Sequence, residues 1–144
     1  MLPGPAVILV VEDDAATRDL LRELLESEGY TVASAADAAA GVARIEAGGI
    51  DLVLLDRRLP EMDGLALCRQ VRARPDAVYL PIIMLTAVAG GEQSRTGYAA
   101  GVDDYLTKPF DIEELLDRVR IYSHAPGSLG VLLGALNQSG AVPT

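Results

Sequence analysis

Short runs of apolar residues alternate along the chain with longer segments in which apolar residues recur every three or four positions. A run of consecutive apolar residues is typical of a strand covered on both faces, and the longer recurrence is typical of an amphipathic helix. Such alternation predicts an α/β fold with right-handed crossovers, in which helices cover both faces of a parallel sheet. The five predicted strands are Ala6–Val11, Tyr30–Ala33, Asp51–Leu55, Pro81–Leu85 and Asp104–Thr107.

Capping carboxylates and glycines mark the ends of the predicted helices. An Asp side chain accepts a hydrogen bond from the first turn of a helix, whereas Gly readily adopts the left-handed conformation that ends one. A third helix is predicted from Gly64 to Arg74. A further helical stretch is predicted between the fourth and fifth strands, but it contains Gly90, Gly91 and Gly97, so we expect it to be mobile. The predicted caps are Asp14, Asp37 and Asp111, and the predicted stops are Gly29 and Gly48–Gly49.

The last part of the chain has a different composition. Residues 123–144 contain no Lys, Arg, Asp or Glu and are rich in Gly, Ala, Ser and Pro. Such a composition is typical of a linker or of a segment with few packing contacts. We therefore predict a folded domain over residues 1–122, followed by a flexible tail, linker or short packing arm over residues 123–144.

Composition narrows the classes of function. The 144 residues suit one domain, and the net charge of −9, from 21 acidic against 12 basic residues, opposes binding to nucleic acid or to an anionic membrane. The single cysteine, Cys68, excludes an internal disulfide and a multi-cysteine zinc site. No apolar stretch approaches the ~20 residues of a membrane span, and no cationic stretch precedes the first apolar run. We therefore expect a cytoplasmic protein that binds neither nucleic acid nor membrane directly.

Polar side chains stand where several of the predicted strands end. Glu12 and Asp13 follow the first strand, and Asp56 follows the third. Thr86 follows the fourth strand, and Lys108, the only lysine of the chain, follows the fifth. Because ligands of parallel sheets gather at the carboxyl ends of the strands, we expect these five side chains to lie at one edge of the sheet.

This set of residues suits phosphoryl chemistry. Three close carboxylates repel one another unless a cation neutralises them, and oxygen ligands of this kind are those that Mg²⁺ prefers. A carboxylate such as Asp56 can attack phosphorus and form an acyl phosphate, while Mg²⁺ screens its charge. Lys108 and the hydroxyl of Thr86 can bind the oxygens of the phosphoryl group during transfer.

Four ordered motifs, ILVVEDD, LLDRRLPEMDG, PIIMLTA and GVDDYLTKPF, closely resemble the receiver domain of two-component response regulators over roughly residues 6–122. The resemblance implies a five-stranded (βα)5 receiver fold of the flavodoxin-like type. It also implies that Asp56 accepts a phosphoryl group from a sensor histidine kinase in a Mg²⁺-dependent reaction, and that phosphorylation switches partner binding or self-association. Such a domain is a signalling module rather than an enzyme, although it assists its own phosphotransfer and autodephosphorylation.

The resemblance also implies a ligand set for Mg²⁺. Asp56 matches the phosphoacceptor, Asp13 the direct metal ligand, and Glu12 the acid that holds the metal through water. Arg58 matches the position that offers its backbone carbonyl to the metal.

Further positions match the phosphate pocket and the switch of the family. Thr86 and Lys108 match the phosphate-binding hydroxyl and lysine, and Ala87 matches the small residue beside the phosphate. Tyr105 matches the aromatic switch residue that turns inward when the threonine moves, although half-buried packing is an alternative reading. The Lys108–Pro109 bond matches a peptide that is usually cis in the family.

Several charged residues have open interpretations. Arg57 and Arg58 either add positive potential beside Asp56 or are simply solvated. Asp103 is interpreted as part of a turn, and Asp104 as a surface acid. In receivers that drive winged-helix outputs, the fourth helix, fifth strand and last helix form a dimer face, and Asp104 and Arg118 match one of its ion pairs.

The same dimer face is incomplete in this sequence, because the position expected to pair with Glu114 is Ser94. The downstream partner is therefore either an output domain or a separate effector, with a homodimer as a further possibility. A receiver-like interaction module that is never phosphorylated is the alternative function. A phosphohydrolase with an aspartate nucleophile is disfavoured, because such enzymes typically place a second Asp where this chain has Arg58.

Overall fold

The computed structural model describes residues 4–87 and 100–123, and its five strands form one sheet in the order β2-β1-β3-β4-β5. All neighbouring strands are parallel, which confirms the predicted α/β architecture. Four of the five strands begin or end one or two residues away from the predicted positions. The strands are β1 (Val7–Val11), β2 (Thr31–Ala35), β3 (Leu52–Asp56), β4 (Ile82–Thr86) and β5 (Asp104–Thr107).

Four α-helices and one short 3₁₀ turn connect or follow these strands within the described residues: α1 (Ala15–Ser27), α2 (Ala38–Ala47), α3 (Gly64–Arg72), the 3₁₀ turn (Pro75–Ala77) and the last helix (Ile112–Ser123). The third helix was predicted to continue to Arg74, but it ends earlier because Arg74 already precedes the proline-led 3₁₀ turn. The helix predicted between β4 and β5 falls mostly outside the described residues, as do nearly all residues of the predicted tail.

The predicted helix caps are present. Asp14 accepts a hydrogen bond from the backbone N–H of Thr17 at 2.9 Å, and Asp37 accepts one from Ala40 at 2.8 Å. Asp111 likewise accepts a hydrogen bond from the N–H of Glu113 at 2.8 Å. These carboxylates satisfy N–H groups that have no partner within the helix, which is why each helix begins directly after its aspartate.

Alternate residues of each central strand bury opposite faces of the sheet. In β1, Leu9 and Val11 join the core beneath α2 and α3, whereas Ile8 and Val10 join the core beneath α1 and the last helix. The same alternation holds in β3 and β4, whose residues are all buried. Because successive side chains of a strand point to opposite faces, an uninterrupted apolar run fits a sheet with helices on both sides.

The register of the strands brings their carboxyl ends level. Asp56 of β3 lies beside Leu85 of β4, one residue before Thr86. Lys108 continues the ladder beyond β5, because its backbone N–H donates to the carbonyl of Thr86 at 2.7 Å. Within the described part of the chain, no helix is both long and apolar enough to cross a bilayer.

Candidate functional site

Three carboxylates meet at the carboxyl edge of the sheet. Glu12, Asp13 and Asp56 each offer an oxygen atom, and these oxygens lie within 4.8 Å of one another. Glu12 and Asp56 are only 1% and 5% exposed, whereas Asp13 is exposed to solvent. The register of β1 and β3 causes this meeting, since both strands end at the same level of the sheet.

Lys108 reaches the same cluster from the end of β5. Its Nζ lies 3.1 Å from one carboxylate oxygen of Glu12 and 3.2 Å from the other, and 3.4 Å from Oδ1 of Asp56. Glu12 and Asp56 thus share a single ammonium group, and the cluster with Asp13 keeps excess negative charge when all of its groups are ionised.

The crowding and burial of the cluster perturb its proton equilibria. Burial, reinforced by the neighbouring Asp56 carboxylate and only partly opposed by Lys108, raises the pKa of Glu12 to about 7. Burial disfavours the ammonium form of Lys108, but its hydrogen bond to Glu12 and the charges of Glu12 and Asp56 outweigh this effect and raise the pKa of Lys108. The lysine is therefore held as a cation beside two acids.

The donor set fits a hard divalent cation. It consists of carboxylate oxygens only, with one exposed member that leaves an open side toward solvent. Mg²⁺ is commonly held by one or two carboxylates together with waters and phosphate oxygens, and this arrangement offers the same combination. The residues that could hold such an ion are Glu12, Asp13 and Asp56.

The other predicted site residues lie around this cluster. Thr86 ends β4 and is 4% exposed, and Ala87 follows it at the surface. Tyr105 of β5 is half-buried and packs against the core beneath α2 and α3, so the packing interpretation of this residue is satisfied. The Lys108–Pro109 peptide bond is cis, as the resemblance implies.

The loop after β3 begins with a contact to the proposed phosphoacceptor. The backbone N–H of Arg58 donates to Oδ1 of Asp56 at 3.2 Å, and the Arg58 side chain is exposed. Arg57 differs from both sequence-based interpretations, because its guanidinium forms an ion pair with Asp63 at 2.9 Å. Asp63 precedes the predicted third helix and accepts a hydrogen bond from Leu65, so its capping role was readable from sequence, but its pairing with Arg57 was not.

The interpretation of Asp103 as a turn residue was incomplete. Its carboxylate accepts hydrogen bonds from the N–H of Ile82 at 2.8 Å and from the guanidinium of Arg72 at 2.7 Å. Asp103 therefore joins α3, β4 and the start of β5 at the edge of the sheet opposite to the acidic cluster. No local pattern identifies this role, because Arg72 and Asp103 are 31 residues apart.

Arg118 is paired within the chain. Its guanidinium lies 3.2 Å from Asp104 and 3.5 Å from Glu114. These contacts connect the last helix with β5 inside one molecule. The predicted dimer face remains a prediction, and its Ser94 position lies outside the described residues.

The sequence is similar to a known family of domains and to parts of longer proteins. Residues 8–120 match the sequence model of the response regulator receiver domain. The chain is 46% identical over 116 residues to the response regulator MprA of Mycolicibacterium vanbaalenii, covering 81% of this chain and 49% of that protein. It is 42% identical over 113 residues to RpaA of Synechocystis sp., described as a DNA-binding dual master transcriptional regulator, covering 78% of this chain and 47% of that protein. The chain thus spans about half the length of the curated relatives it matches.

A solved structure extends this likeness to three dimensions. The receiver domain of the sensor histidine kinase PA1611 from Pseudomonas aeruginosa superposes with a TM-score of 0.77 at 35% sequence identity. The superposition covers 84% of this chain and 99% of that domain. That structure is described as having a magnesium ion coordinated in the active site cleft.

Proposed function

This chain belongs to the response regulator receiver domain family, and we propose that it acts as a phosphorylation-activated switch whose Asp56 accepts a phosphoryl group from a sensor histidine kinase. The observation that carries the proposal is the position of Asp56 at the carboxyl edge of the sheet. Its carboxylate lies beside Glu12 and Asp13 and is 3.4 Å from the Lys108 ammonium. A signalling domain of this family needs such a nucleophile next to groups that offset phosphoryl charge.

In the proposed transfer, an oxygen of Asp56 attacks the phosphorus atom of a phosphohistidine. An O–P bond forms as the P–N bond breaks, and the electron pair of the broken bond stays on the imidazole nitrogen of the donor. Lys108 binds a phosphoryl oxygen electrostatically, and the Thr86 hydroxyl donates a hydrogen bond to the same group. Ala87, with its small side chain, leaves room beside the phosphoryl group.

Mg²⁺ is the proposed cofactor. Asp13, Asp56 and the backbone carbonyl of Arg58 would hold it directly, and Glu12 would hold it through water. When bound, Mg²⁺ supplies positive charge that offsets the carboxylates and the equatorial oxygens of the phosphoryl group. The same residues assist hydrolysis of the acyl phosphate, so the domain is proposed to catalyse its own slow dephosphorylation without being an enzyme toward other substrates.

The proposed output is a shift between two conformations that already exist in equilibrium. Phosphorylation draws Thr86 toward the phosphoryl group and favours the conformation in which the ring of Tyr105 turns inward. Rearrangement of residues 90–101 is part of the same proposal, and residues 90–99 of that region lie outside the described residues. The switch would act through residues 1–122, with residues 123–144 as a tail, linker or packing arm.

The proposed partners are a histidine kinase and a downstream output domain or effector. The relatives MprA and RpaA are about twice as long as the matched region, and RpaA is described as DNA-binding. We propose that any DNA contact belongs to an output region rather than to this acidic domain, and that the domain acts in the cytoplasm. A homodimer is part of the same proposal. Its face would consist of the helix predicted between β4 and β5, β5 itself and the last helix.

Labelling with acetyl phosphate and Mg²⁺ tests the proposed function. We expect one phosphoryl group per chain that is labile to alkali and hydroxylamine, measured by mass spectrometry, and that is absent from Asp56→Asn and after chelation with EDTA. Asp14→Asn is the matched control, because Asp14 lies at the same edge but caps α1, and asparagine caps helices equally well. No label on the wild-type chain would sink the proposal and favour a receiver-like interaction module, whereas multiple turnover of unrelated phosphomonoesters would favour a phosphohydrolase.

A further inference from the structure

The loop between β3 and α3 is closed by a two-point ion pair. The Nε of Arg57 donates to Oδ1 of Asp63 at 2.9 Å, and Nη2 of Arg57 donates to Oδ2 at 3.3 Å. The guanidinium matches the geometry of a carboxylate in such a pair, which fixes the relative orientation of the two side chains as well as their distance. The pair therefore connects the first residue after Asp56 with the residue that precedes α3.

Backbone contacts extend the same closure. The N–H of Gly64 donates to the carbonyl of Arg57 at 2.7 Å, and Arg58 pairs with Asp63 in an isolated antiparallel bridge. Asp63 also accepts a hydrogen bond from the N–H of Leu65 at 2.9 Å, so it is anchored to the first turn of α3. Arg58 is thus held between a fixed strand end and a fixed helix start.

Gly64 shows how closely the loop approaches the strand. A Cβ at this position would lie 2.6 Å from the carbonyl oxygen of Asp56 and 3.0 Å from the Cα of Arg57. Both neighbours are backbone atoms, which cannot move aside as a flexible side chain can. The close approach brings Asp63 beside Arg57, and this is the geometry that the ion pair holds.

We propose that the Arg57–Asp63 pair is a positioning device for the Asp56 site. By closing the loop, the pair holds the Arg58 backbone, whose N–H already contacts Asp56 and whose carbonyl is the proposed metal ligand. This inference rests on the proposed function and names residues that act through Arg58 rather than on the phosphoryl group itself. Their effect is therefore measured as a change in the affinity of the site for Mg²⁺.

The physical reason is the entropy of the loop. Without the ion pair, residues 58–62 would sample more conformations, and Mg²⁺ binding would have to order them. Groups that orient metal ligands typically change metal affinity by tenfold or more when they are removed. The pair is partly exposed, with side chains 20% and 50% accessible, so its effect on global stability is expected to be small.

Two test substitutions, Asp63→Asn and Arg57→Leu, remove the ion pair in different ways, so that its positioning effect can be separated from helix capping and from loss of charge. Asp63→Asn keeps an oxygen that can cap α3 but loses the charged two-point pair. Arg57→Leu leaves the cap untouched. Arg69→Ala is the matched control, because it removes an exposed positive charge near Asp63 that is not part of the ion pair. Arg57→Lys restores the charge without the planar fork and should recover part of the effect.

The affinity for Mg²⁺ is measured by isothermal titration calorimetry. The mobility of the loop is measured by hydrogen exchange of the amides in residues 57–64. We expect Asp63→Asn and Arg57→Leu to weaken Mg²⁺ binding about tenfold and to speed amide exchange in the loop. Labelling by acetyl phosphate should then require more Mg²⁺ but reach a similar rate at saturation. Arg69→Ala should bind Mg²⁺ like the wild-type chain.

The outcomes distinguish this inference from the proposed function. If the wild-type chain is labelled and both variants bind Mg²⁺ within twofold of it, the positioning role is overturned and the proposed function stands. If the wild-type chain binds Mg²⁺ but takes no label, the proposed function fails, and weaker binding by both variants still supports positioning. A wild-type chain that does not bind Mg²⁺ overturns both.

Discussion

The two edges of the sheet use acidic side chains in opposite ways. At the amino edge, where the strands begin, Asp51 accepts a hydrogen bond from the N–H of Val7 at 2.8 Å. Asp103 accepts hydrogen bonds from Ile82 and Arg72 at the same edge. Each of these carboxylates binds backbone or guanidinium groups of a neighbouring element, and so joins parts of the fold.

Arg72 also connects several segments of the chain at the amino edge. Besides Asp103, its guanidinium donates to the carbonyls of Gly101, Ala77 and Leu80 at 3.0, 2.9 and 2.6 Å. Gly101 has a φ of +103°, and a Cβ there would lie 2.6 Å from the Arg72 side chain. Glycine is therefore required both by the backbone conformation and by the close approach of the arginine.

At the carboxyl edge, by contrast, Glu12 and Asp56 share the ammonium of Lys108, and Asp13 belongs to the same carboxylate cluster. Their charge is not balanced pair by pair, and this is unfavourable for the folded chain when no cation is bound. Acids at the amino edge are therefore each paired with a neighbouring element, whereas the carboxylates at the carboxyl edge keep unbalanced charge that a cation would offset. Four substitutions test this division.

The largest effect is expected for Arg72→Ala at the amino edge. The substitution removes the charged partner of Asp103 and the guanidinium that donates to the carbonyls of Gly101, Ala77, Val78 and Leu80. We expect the free energy of unfolding to fall by about 3 kcal/mol, measured by urea denaturation. Arg69→Ala, an exposed position on the same helix, should change it by less than ~0.5 kcal/mol. Equal effects of the two variants would contradict the joining role of Arg72.

A smaller effect is expected for Asp103→Asn. The amide oxygen can still accept a hydrogen bond from Ile82, but the charged contact with Arg72 is lost. We expect a loss of about 1–2 kcal/mol in the free energy of unfolding, because a hydrogen bond between charged groups is stronger than one to a neutral amide. The control is Asp76→Asn, an acid exposed at the same edge, and an equal loss there would argue against a specific role for Asp103.

Asp13→Asn tests the carboxyl edge. In metal-free buffer we expect little change in stability, because Asp13 is exposed and its removal relieves repulsion. At ten times the dissociation constant, Mg²⁺ should raise the free energy of unfolding of the wild-type chain by about 1.4 kcal/mol, and this gain should largely disappear in the variant. Thermal unfolding with and without Mg²⁺ measures this stabilisation. The control Asp14→Asn should be stabilised by Mg²⁺ as much as the wild-type chain.

The smallest effect is expected for Arg58→Ala, which retains the backbone. Its side chain is exposed and its proposed ligand is the main-chain carbonyl, so the Mg²⁺ dissociation constant should stay within about twofold of the wild-type value. Calorimetric titration checks this directly. A large loss of affinity would mean that the side chain, rather than the loop backbone, contributes to the site.

Much of the fold and most of the candidate site could be predicted from the sequence. The apolar runs predicted the strands of the sheet, because a strand buried on both faces needs consecutive apolar residues. The capping aspartates and the glycines predicted where the helices begin and end, because capping requires particular residue types at those positions. The meeting of Glu12, Asp13 and Asp56 followed from the common edge of parallel strands. The partners of Arg57 and Asp103 were not predicted, because an ion pair depends on the path of the chain between its partners and has no periodic pattern.

The sequence by itself determined which residues are apolar, which carry charge, and at which strand ends the reactive groups stand. Only the tertiary structure decided how those groups pair. It pairs Asp103 with Arg72 and Arg57 with Asp63, and among the described residues it places one cation, Lys108, beside both Glu12 and Asp56. The reason is that burial follows from local hydrophobic pattern, whereas electrostatic pairing acts over a few ångströms and depends on which distant segments the packed sheet brings together.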